Sequence, residues 1–280
     1  MSALSESAAA DPGLAARLRW ELSDSLMLAR RNVAHIRQVP ERLLDATVQP
    51  IMFVLLFAYV FGGAIHVAGG GYKEYLLGGI LIQTLTFGII RPAISIATDL
   101  TEGIVDRFRS LPMSRSAFLY GHIISDLATS ALALVIMTVS GLLVGWRIHS
   151  DFPHALAGFA LLVLFSFAML WVGMLLGLLA RTPDAVNGVA FILVFPLTFI
   201  ANTFVPAGSL PDGLRQVAEY NPVSALSAAV RTLFGNPTAL PSGAAWPLQH
   251  PVLSGLGYCA LILVVVVPLT IRRYRVRTAG

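Results

Sequence analysis

The sequence predicts an all-α integral membrane protein with six transmembrane helices, and three observations predict it. Of 280 residues, 56% are hydrophobic and only 12% charged, at a mean hydropathy of +0.75. A soluble domain carries about 25% charged residues, and so apolar a chain has too little polar surface to cover a water-facing core. Apolar stretches long enough to cross a bilayer recur six times. The basic residues fall mostly on one side of the topology those stretches define. Composition therefore excludes a soluble enzyme, a disordered chain and a nucleic-acid binder, although the sequence pI is 9.6. The single cysteine, Cys259, excludes an internal disulfide and a Cys-based zinc site.

Residues 1–47 form a polar N-terminal segment without the apolar core of about 7–15 residues that a cleavable signal needs. Asp11-Pro12 reads as a cap and a proline start. Leu14, Leu18, Leu22, Leu26, Ala29, Val33 and Ile36 then recur at steps of three and four, with Arg17, Asp24, Arg31 and Arg37 between them. The pattern predicts an amphipathic helix ending before Pro40. It suits the plane of a membrane surface, and equally a face packed on another subunit. The six spans follow at Val48–Ile65, Leu76–Thr98, Ile123–Trp146, Ala155–Ala180, Ala185–Val205 and Val252–Ile271. Arg181-Thr182-Pro183-Asp184, between the fourth and fifth, reads as a break, a cap and a proline start. Residues 48–271 are thus one membrane domain, and 272–280 a basic tail.

Six spans put both termini on one side. With that side cytoplasmic, the inner pieces hold Arg17, Arg19, Arg30, Arg31, Arg37, Arg42, Arg107, Arg109, Arg115, Arg181, Arg272, Arg273, Arg275 and Arg277. The outer pieces hold Lys73, Arg147, Arg215 and Arg231, and Arg91 lies within a span. Such an excess of inner positive charge places both termini in the cytoplasm.

Two connections carry helix signals of their own. The inner one, from Asp99 to Ala117, keeps Ile104, Val105, Phe108 and Leu111 among its charges, which suits a short helix at the cytoplasmic face. The outer one, Pro206 to Pro251, contains Asn221-Pro222 as cap and start. Val223, Leu226, Val230, Leu233 and Phe234 follow at helical spacing. An amphipathic helix on the outer face, or one dipping into the membrane, is expected there.

The chain lacks a phosphate-binding loop. Its one lysine, Lys73, is followed by Glu74, and no G-x-x-x-x-G-K-[ST] occurs. Any ATP that drives this protein is therefore bound by another polypeptide. His122 and Asp126, four apart, share a helix face, but no second pair accompanies them as a metal site would require. A structural or charge-pairing role is the commoner one, and no metal or catalytic residue is assigned. Arg91 is a charge inside a span, which is costly and tends to be paired or functional. It sits roughly 10 Å deep, and Asp126 on the next span roughly 5 Å, at a rise of 1.5 Å per residue. An Arg91–Asp126 ion pair is one expectation, and an arginine that snorkels to the surface is the other. Gly141/Gly145 and Gly173/Gly177 have the spacing that lets helices approach closely, more often within a subunit than at a dimer seam. Gln83 and Thr84 on the second span, and Asn187, Thr198 and Asn202 near one face of the fifth, are polar groups that face protein or a wet pathway.

The inner connection, Glu102-Gly103-Ile104-Val105-Asp106-Arg107-Phe108-Arg109-Ser110-Leu111-Pro112-Met113-Ser114-Arg115, resembles the loop between spans two and three of type-2 ABC exporter permeases, particularly the daunorubicin-resistance type. Pro206-Ala207-Gly208-Ser209-Leu210-Pro211-Asp212-Gly213-Leu214-Arg215 resembles that family's signature before the last span. Tyr220-Asn221-Pro222-Val223-Ser224-Ala225-Leu226, with Arg231 following, does so too. Many members carry an aromatic residue where this chain has Gly213. The resemblance covers nearly the whole chain. It implies that the inner connection is a coupling helix docking on an ATPase through Glu102, Gly103, Arg107, Leu111 and Pro112. It also implies an outer-face motif of Pro206, Pro211, Asn221, Pro222 and Arg231.

The resemblance further implies two six-span subunits, as a homodimer or heterodimer, working with two copies of a separate ABC ATPase. ATP and magnesium would be bound on that ATPase, with no cofactor on this chain. Helices two and five would flank the path, with Gln83, Thr84, Asn187, Thr198 and Asn202 as its candidate lining. The expected function is export of a hydrophobic or amphiphilic compound (drug, antibiotic or lipid) across a bacterial cytoplasmic membrane. A permease for polysaccharide or lipid-linked glycan, from the same superfamily, is the alternative, and a row of aromatics along the path would favour it. An intramembrane enzyme is a remote third reading, which clustered acidic and His residues would support.

Overall fold

A computed structural model describes residues 48, 51–62, 65, 67, 69–102, 117–180, 182–241 and 243–277. Among them every regular element is helical. The expected N-terminal amphipathic helix, and residues 103–116 of the inner connection, lie outside the described residues.

The helices are α1 (Ile51–Val60, passing into a π-helical turn at Leu56–Phe61), α2 (Tyr72–Phe87), α3 (Ile90–Thr101), α4 (Ala117–Val144) and α5 (Phe152–Leu179). They continue as α6 (Pro183–Phe199), α7 (Asp212–Tyr220), α8 (Pro222–Leu233), α9 (Trp246–Gln249) and α10 (Pro251–Arg277). Among the described residues four stretches are long and apolar enough to span a bilayer: α2 with α3 over Tyr72–Thr101, α4 over Leu119–Val144, α5 and α10. The other two expected spans are shorter apolar helices, α1 and the 17-residue α6.

Local chemistry explains where these helices depart from the expected spans. The second span breaks into α2 and α3 at Gly88–Ile89, because Pro92 has no N–H to give the Gly88 carbonyl. Gly88 instead donates its own N–H to the carbonyls of Thr84 and Leu85, both at 3.1 Å. The α6 start follows the expected cap, with the Thr182 hydroxyl accepting the Ala185 N–H at 3.3 Å and Pro183 in the first turn. Its end falls at Phe199, short of Val205. Pro196 lies in its last turn, and the Leu197 and Ile200 carbonyls accept from the Asn221 amide at 2.8 and 2.7 Å. At the other extreme α10 runs unbroken through Arg277, whose guanidinium donates to the Ala180 carbonyl at 3.2 Å.

The bundle is organised around α5, which packs on α2, α3, α4, α6, α8 and α10. Leu161, Leu162, Phe165 and Met169 of α5 join Leu77, Ile80 and Leu81 of α2 in the largest core cluster. Further along α5, Trp171, Met174 and Leu178 pack with Ile96, Ile123 and Tyr274. Gly173 and Gly177 bring α5 against the backbone of α3: a Cβ at either would overlap the Ile89 or Ala93 carbonyl oxygen. The pair thus packs helices within the subunit. Its counterpart divides its roles. Gly141 lies against Leu77 and Trp146, whereas Gly145, at φ +105°, ends α4 in a conformation that favours glycine.

The α8 helix is the clearest difference from expectation. Asn221 caps it as the sequence indicates, its Oδ1 accepting the Val223 N–H at 2.8 Å. It does not lie on a surface, however. Every residue from Val223 to Arg231 is buried, between α2, α5, α7, α9 and α10. Ala225, Ala228 and Ala229 leave room for that close packing on several sides.

The α3–α5 contact yields a test. Gly177→Val should cost about 1–3 kcal/mol or more through overpacking against backbone, read as a lowered Tm of the detergent-purified chain. An unchanged Tm would contradict the packing of α5 on α3.

Candidate functional site

Arg231 organises one end of the bundle. It has no exposed surface, and its guanidinium carbon stacks 3.5 Å from the Tyr75 ring centroid. Nε donates to the Tyr75 carbonyl at 2.7 Å and Nη2 to the Thr203 carbonyl at 2.9 Å. The latter lies in the turn after α6, so one α8 side chain ties α2 to the end of α6. Gly78 and Gly79 make room for it: a Cβ at Gly78 would lie 2.7 Å from Arg231 Cγ, and one at Gly79 2.8 Å from Nη2. The Tyr75 hydroxyl donates to the Asn202 carbonyl at 2.6 Å, and the Asn202 N–H donates to the Ser224 hydroxyl at 3.0 Å.

The lock extends to the turns beyond α8 and α4. The Asn236 N–H donates to the Arg231 carbonyl at 2.8 Å. Its side chain accepts from the Trp146 indole at 2.9 Å and donates to the Arg147 carbonyl at 2.9 Å. Buried Glu219 joins α7 to the start of α9, accepting from Arg215 at 2.7 Å and from the Ala245 N–H at 2.8 Å. Of the expected outer motif, Arg231, Asn221 and Pro222 therefore belong to one buried assembly. Pro206 precedes the 3₁₀ turn Ala207–Ser209, and Pro211 caps α7 from an exposed position.

At the opposite end the charges are arranged differently from the expected pair. His122 of α4 lies 3.2 Å from Asp99 of α3. Arg91 and Asp126 are not brought within 4.0 Å of each other. Arg91 is exposed, and Asp126 turns a buried Oδ2 that has no hydrogen-bond partner. The reason is rotational. The α3 helix buries Pro92, Ala93, Ile96 and Ala97, chiefly on α5 and α6. Asp99 is then turned toward α4 and meets His122, while Arg91 is left exposed, near enough for its charge to act on Asp126 but without an ion pair to it.

The expected path residues do not form one face. Gln83 is buried and Thr84 half-buried on α2, while Asn187 is exposed on α6. Thr198 is buried and returns its hydroxyl to the Val194 carbonyl at 2.8 Å, and Asn202 belongs to the Arg231 assembly. Of the expected coupling residues Glu102 is exposed just after α3; Gly103, Arg107, Leu111 and Pro112 lie outside the described residues. Among the described residues no three His, Cys, Asp or Glu side chains are grouped to hold a metal ion.

Tyr75, Gly78, Gly79 and Asn236 were not among the residues the sequence pointed to. Adjacent glycines inside an apolar helix were the available signal for the Arg231 niche. An aromatic row was also hidden. Phe191, Phe195 and Phe199 of α6 stack at 5.1 and 4.2 Å, and the row continues through Phe204 to Phe57 of α1 at 5.3 and 4.3 Å.

Apolar helices of spanning length, held at one end by a buried polar lock, define a multi-pass membrane protein. Residues 25–234 match the family model described as ABC-2 type transporter, and the chain belongs to that family. It is 30% identical to a daunorubicin resistance ABC transporter permease protein, DrrB1, of Streptomyces coeruleorubidus, over 89% of this chain and 85% of that one. It is 27% identical to the doxorubicin resistance permease DrrB of Mycobacterium tuberculosis, over 76% and 77%. The probable doxorubicin resistance permease DrrC of the same organism is 23% identical, over 95% and 94%. These relatives put the chain with type-2 ABC permeases of the drug-resistance branch, as the inner and outer motifs had indicated.

Removing the Arg231 side chain tests the lock. Arg231→Met removes the donor of the Thr203 carbonyl, at roughly 1–3 kcal/mol, and the added donor and ring stacking at Tyr75, whose carbonyl keeps its place in the α2 helix. Arg231→Lys keeps the charge but loses the planar fork and the ring stacking. Both variants should lower the Tm of the purified chain, and a Met variant as stable as the parent would refute a structural role for the guanidinium.

Proposed function

We propose that this chain is the membrane subunit of an ATP-driven exporter that moves a hydrophobic or amphiphilic compound out of a bacterial cell. The similarity to drug-resistance permeases over 89% of the chain carries this reading. On it, α1 and α6 complete six spans, both termini are cytoplasmic, and the Arg231 lock is at the outer face. Two permease subunits, alike or different, work with two separate ATPase subunits that bind ATP and magnesium. The presence of related DrrB and DrrC permeases in one organism supports a pairing of unlike subunits.

The mechanism is alternating exposure of a central path, with closure of the ATPases shifting the balance between inward- and outward-open states. The force enters through the connection that joins α3 to α4, with Glu102, Gly103, Arg107, Leu111 and Pro112 at the contact. The Asp99–His122 pair ties the ends of those two helices, so that a push on the connection moves them together. This is the role that an Arg91–Asp126 pair would have had. The phenylalanine row is the observation that favours the glycan alternative. Glycan hydroxyls need hydrogen-bond partners, though, and phenylalanine rings provide none. The row suits a hydrophobic cargo better.

Export is checked by co-expressing the chain with its ATPase and measuring ATP-dependent uptake into inverted vesicles. The panel is one of hydrophobic and amphiphilic fluorescent compounds, daunorubicin among them. Arg107→Glu should lower uptake and ATPase co-purification while leaving membrane insertion intact. Unchanged uptake and complex yield would remove the docking role.

Topology has its own test. With Cys259 replaced, cysteines at Lys73 and His149 should react with impermeant thiol reagents from outside, and those at Ser114 and Thr278 should not. Outside labelling of Ser114 would overturn the six-span arrangement.

A further inference from the structure

Besides Ile90, Ile94, Asp99, Leu100 and Thr101, which are also half-buried or exposed, the second span carries one continuous row of incompletely buried side chains. Thr84, Phe87, Arg91, Ser95, Thr98 and Glu102 follow at steps of three and four, which stacks them on one helix face. Gly88 and Ile89 keep right-handed helical φ and ψ, so the line passes through the α2–α3 break. The opposite face is closed, with Pro92 against Gly173, Ala93 against Gly177, and Ala97 beside Val186. Arg91 and Glu102 are exposed and the other four are half-buried. All but Phe87 are polar, on a helix whose neighbours in the bundle expose leucine, valine and phenylalanine.

A face of that kind is unfavourable against lipid tails. Arg91 lies ten residues before Thr101, roughly 15 Å along a helix, and a central arginine costs about 2.5–3.5 kcal/mol even on the mildest scale. The charge of Asp126 reaches it, but no carboxylate among the described residues pairs with it. Among the described residues Arg91 makes no hydrogen bond and no ion pair within 4.0 Å. Asp99 is engaged by His122, and Asp126 lies beyond ion-pair distance with one oxygen buried. Asp184 is at the start of α6, and Glu102 is at the far end of the line, roughly 16 Å away at 1.5 Å per residue.

We propose that this stripe lines a water-filled vestibule, and that Arg91 at its head recognises the carboxylate or phosphate of an amphiphilic substrate. The assignment deepens the exporter reading and rests on it. A guanidinium presents a planar fork that matches either anion through two hydrogen bonds. Low-dielectric walls strengthen that attraction. Ser95 and Thr98 offer hydroxyls to water or to the remaining anion oxygens on the way in. Phe87, one turn deeper, meets the apolar body of the compound.

The test uses the full chain with its ATPase and with Cys259 replaced. Thr84→Cys and Ser95→Cys are treated with an anionic and a cationic methanethiosulfonate, beside Val264→Cys, a position 73% exposed on α10. Thr84→Cys and Ser95→Cys should react and Val264→Cys should not. After correction for intrinsic rates, the anionic reagent should be favoured roughly fivefold or more. Arg91→Gln should bring that ratio near one, and Arg91→Lys should retain it.

In the transport arm, Arg91→Gln should lower export of a fluorescent fatty acid relative to its methyl ester by about tenfold, or about 1.4 kcal/mol. Fluorescent phosphatidylglycerol run in parallel assigns the site to a lipid headgroup if it responds as the acid does, and to a free acid if it does not. Unreactive cysteines at both stripe positions, or a charge ratio indifferent to Arg91→Gln, would overturn the proposal. If the complex exports no compound at all, the exporter reading falls, while the thiol ratios still decide whether the stripe is wet and anion-selective.

Discussion

A guanidinium without exposed surface, stacked on Tyr75 and bonded to the carbonyls of Tyr75 and Thr203, fixes one end of this bundle. Charge taken out of water is tolerated only where its hydrogen bonds are kept, so separating α8 from α2 would strand the cation in an apolar setting. The same reasoning covers the turn after α6. Its backbone carbonyls lack helical partners, and Asn221, Tyr75 and Arg231 supply donors to four of them. In a lipid-embedded chain such donors are what allow a helix to end before the membrane does.

With that end held, freedom in the second span lies beyond the break at Gly88–Ile89. Pro92 removes one backbone bond there, and α3 is then gripped by α5 through glycine contacts that tolerate no side chain. The α3–α5 pair behaves as one slab, and α4 is attached to its edge by Asp99 and His122. In the proposed exporter, movement delivered to the connection between α3 and α4 would therefore reach the core of the bundle through backbone contact. Flexible side chains transmit little of it.

The arrangement also separates two kinds of buried polarity. At the Arg231 end Arg231, Tyr75, Asn202, Ser224, Asn221 and Asn236 make hydrogen bonds within the subunit, which makes that end a structural lock. Arg231 Nη1, Asn202 Oδ1 and the Thr203 and Ser227 hydroxyls remain without partners among the described residues. Along the second span Gln83, Thr86 and Asp99 face the subunit, whereas Arg91, Ser95, Thr98 and Glu102 are half-buried or exposed, and Arg91 forms no ion pair among the described residues. A lock consumes its hydrogen bonds internally; a pathway leaves them for what passes.

The sequence by itself determined the solvent, the helical class, the absence of a phosphate loop and the helix starts at Thr182-Pro183 and Asn221-Pro222. These follow from composition and from chemistry local to a few residues. It also carried enough motif in Glu102–Arg115 and Pro206–Leu226 to indicate the family. Helix rotation was beyond it. Whether Asp99 or Asp126 meets a partner depends on which face of α3 is buried, and that is decided by Gly173 and Gly177 some eighty residues away. The burial of α8 is likewise a tertiary outcome, since an alanine-rich helix reads as amphipathic until its neighbours surround it. Arg231 could be counted among the outer charges from sequence. Only the fold, by setting Gly78 and Gly79 opposite it, turned that charge into the part that holds the bundle end together.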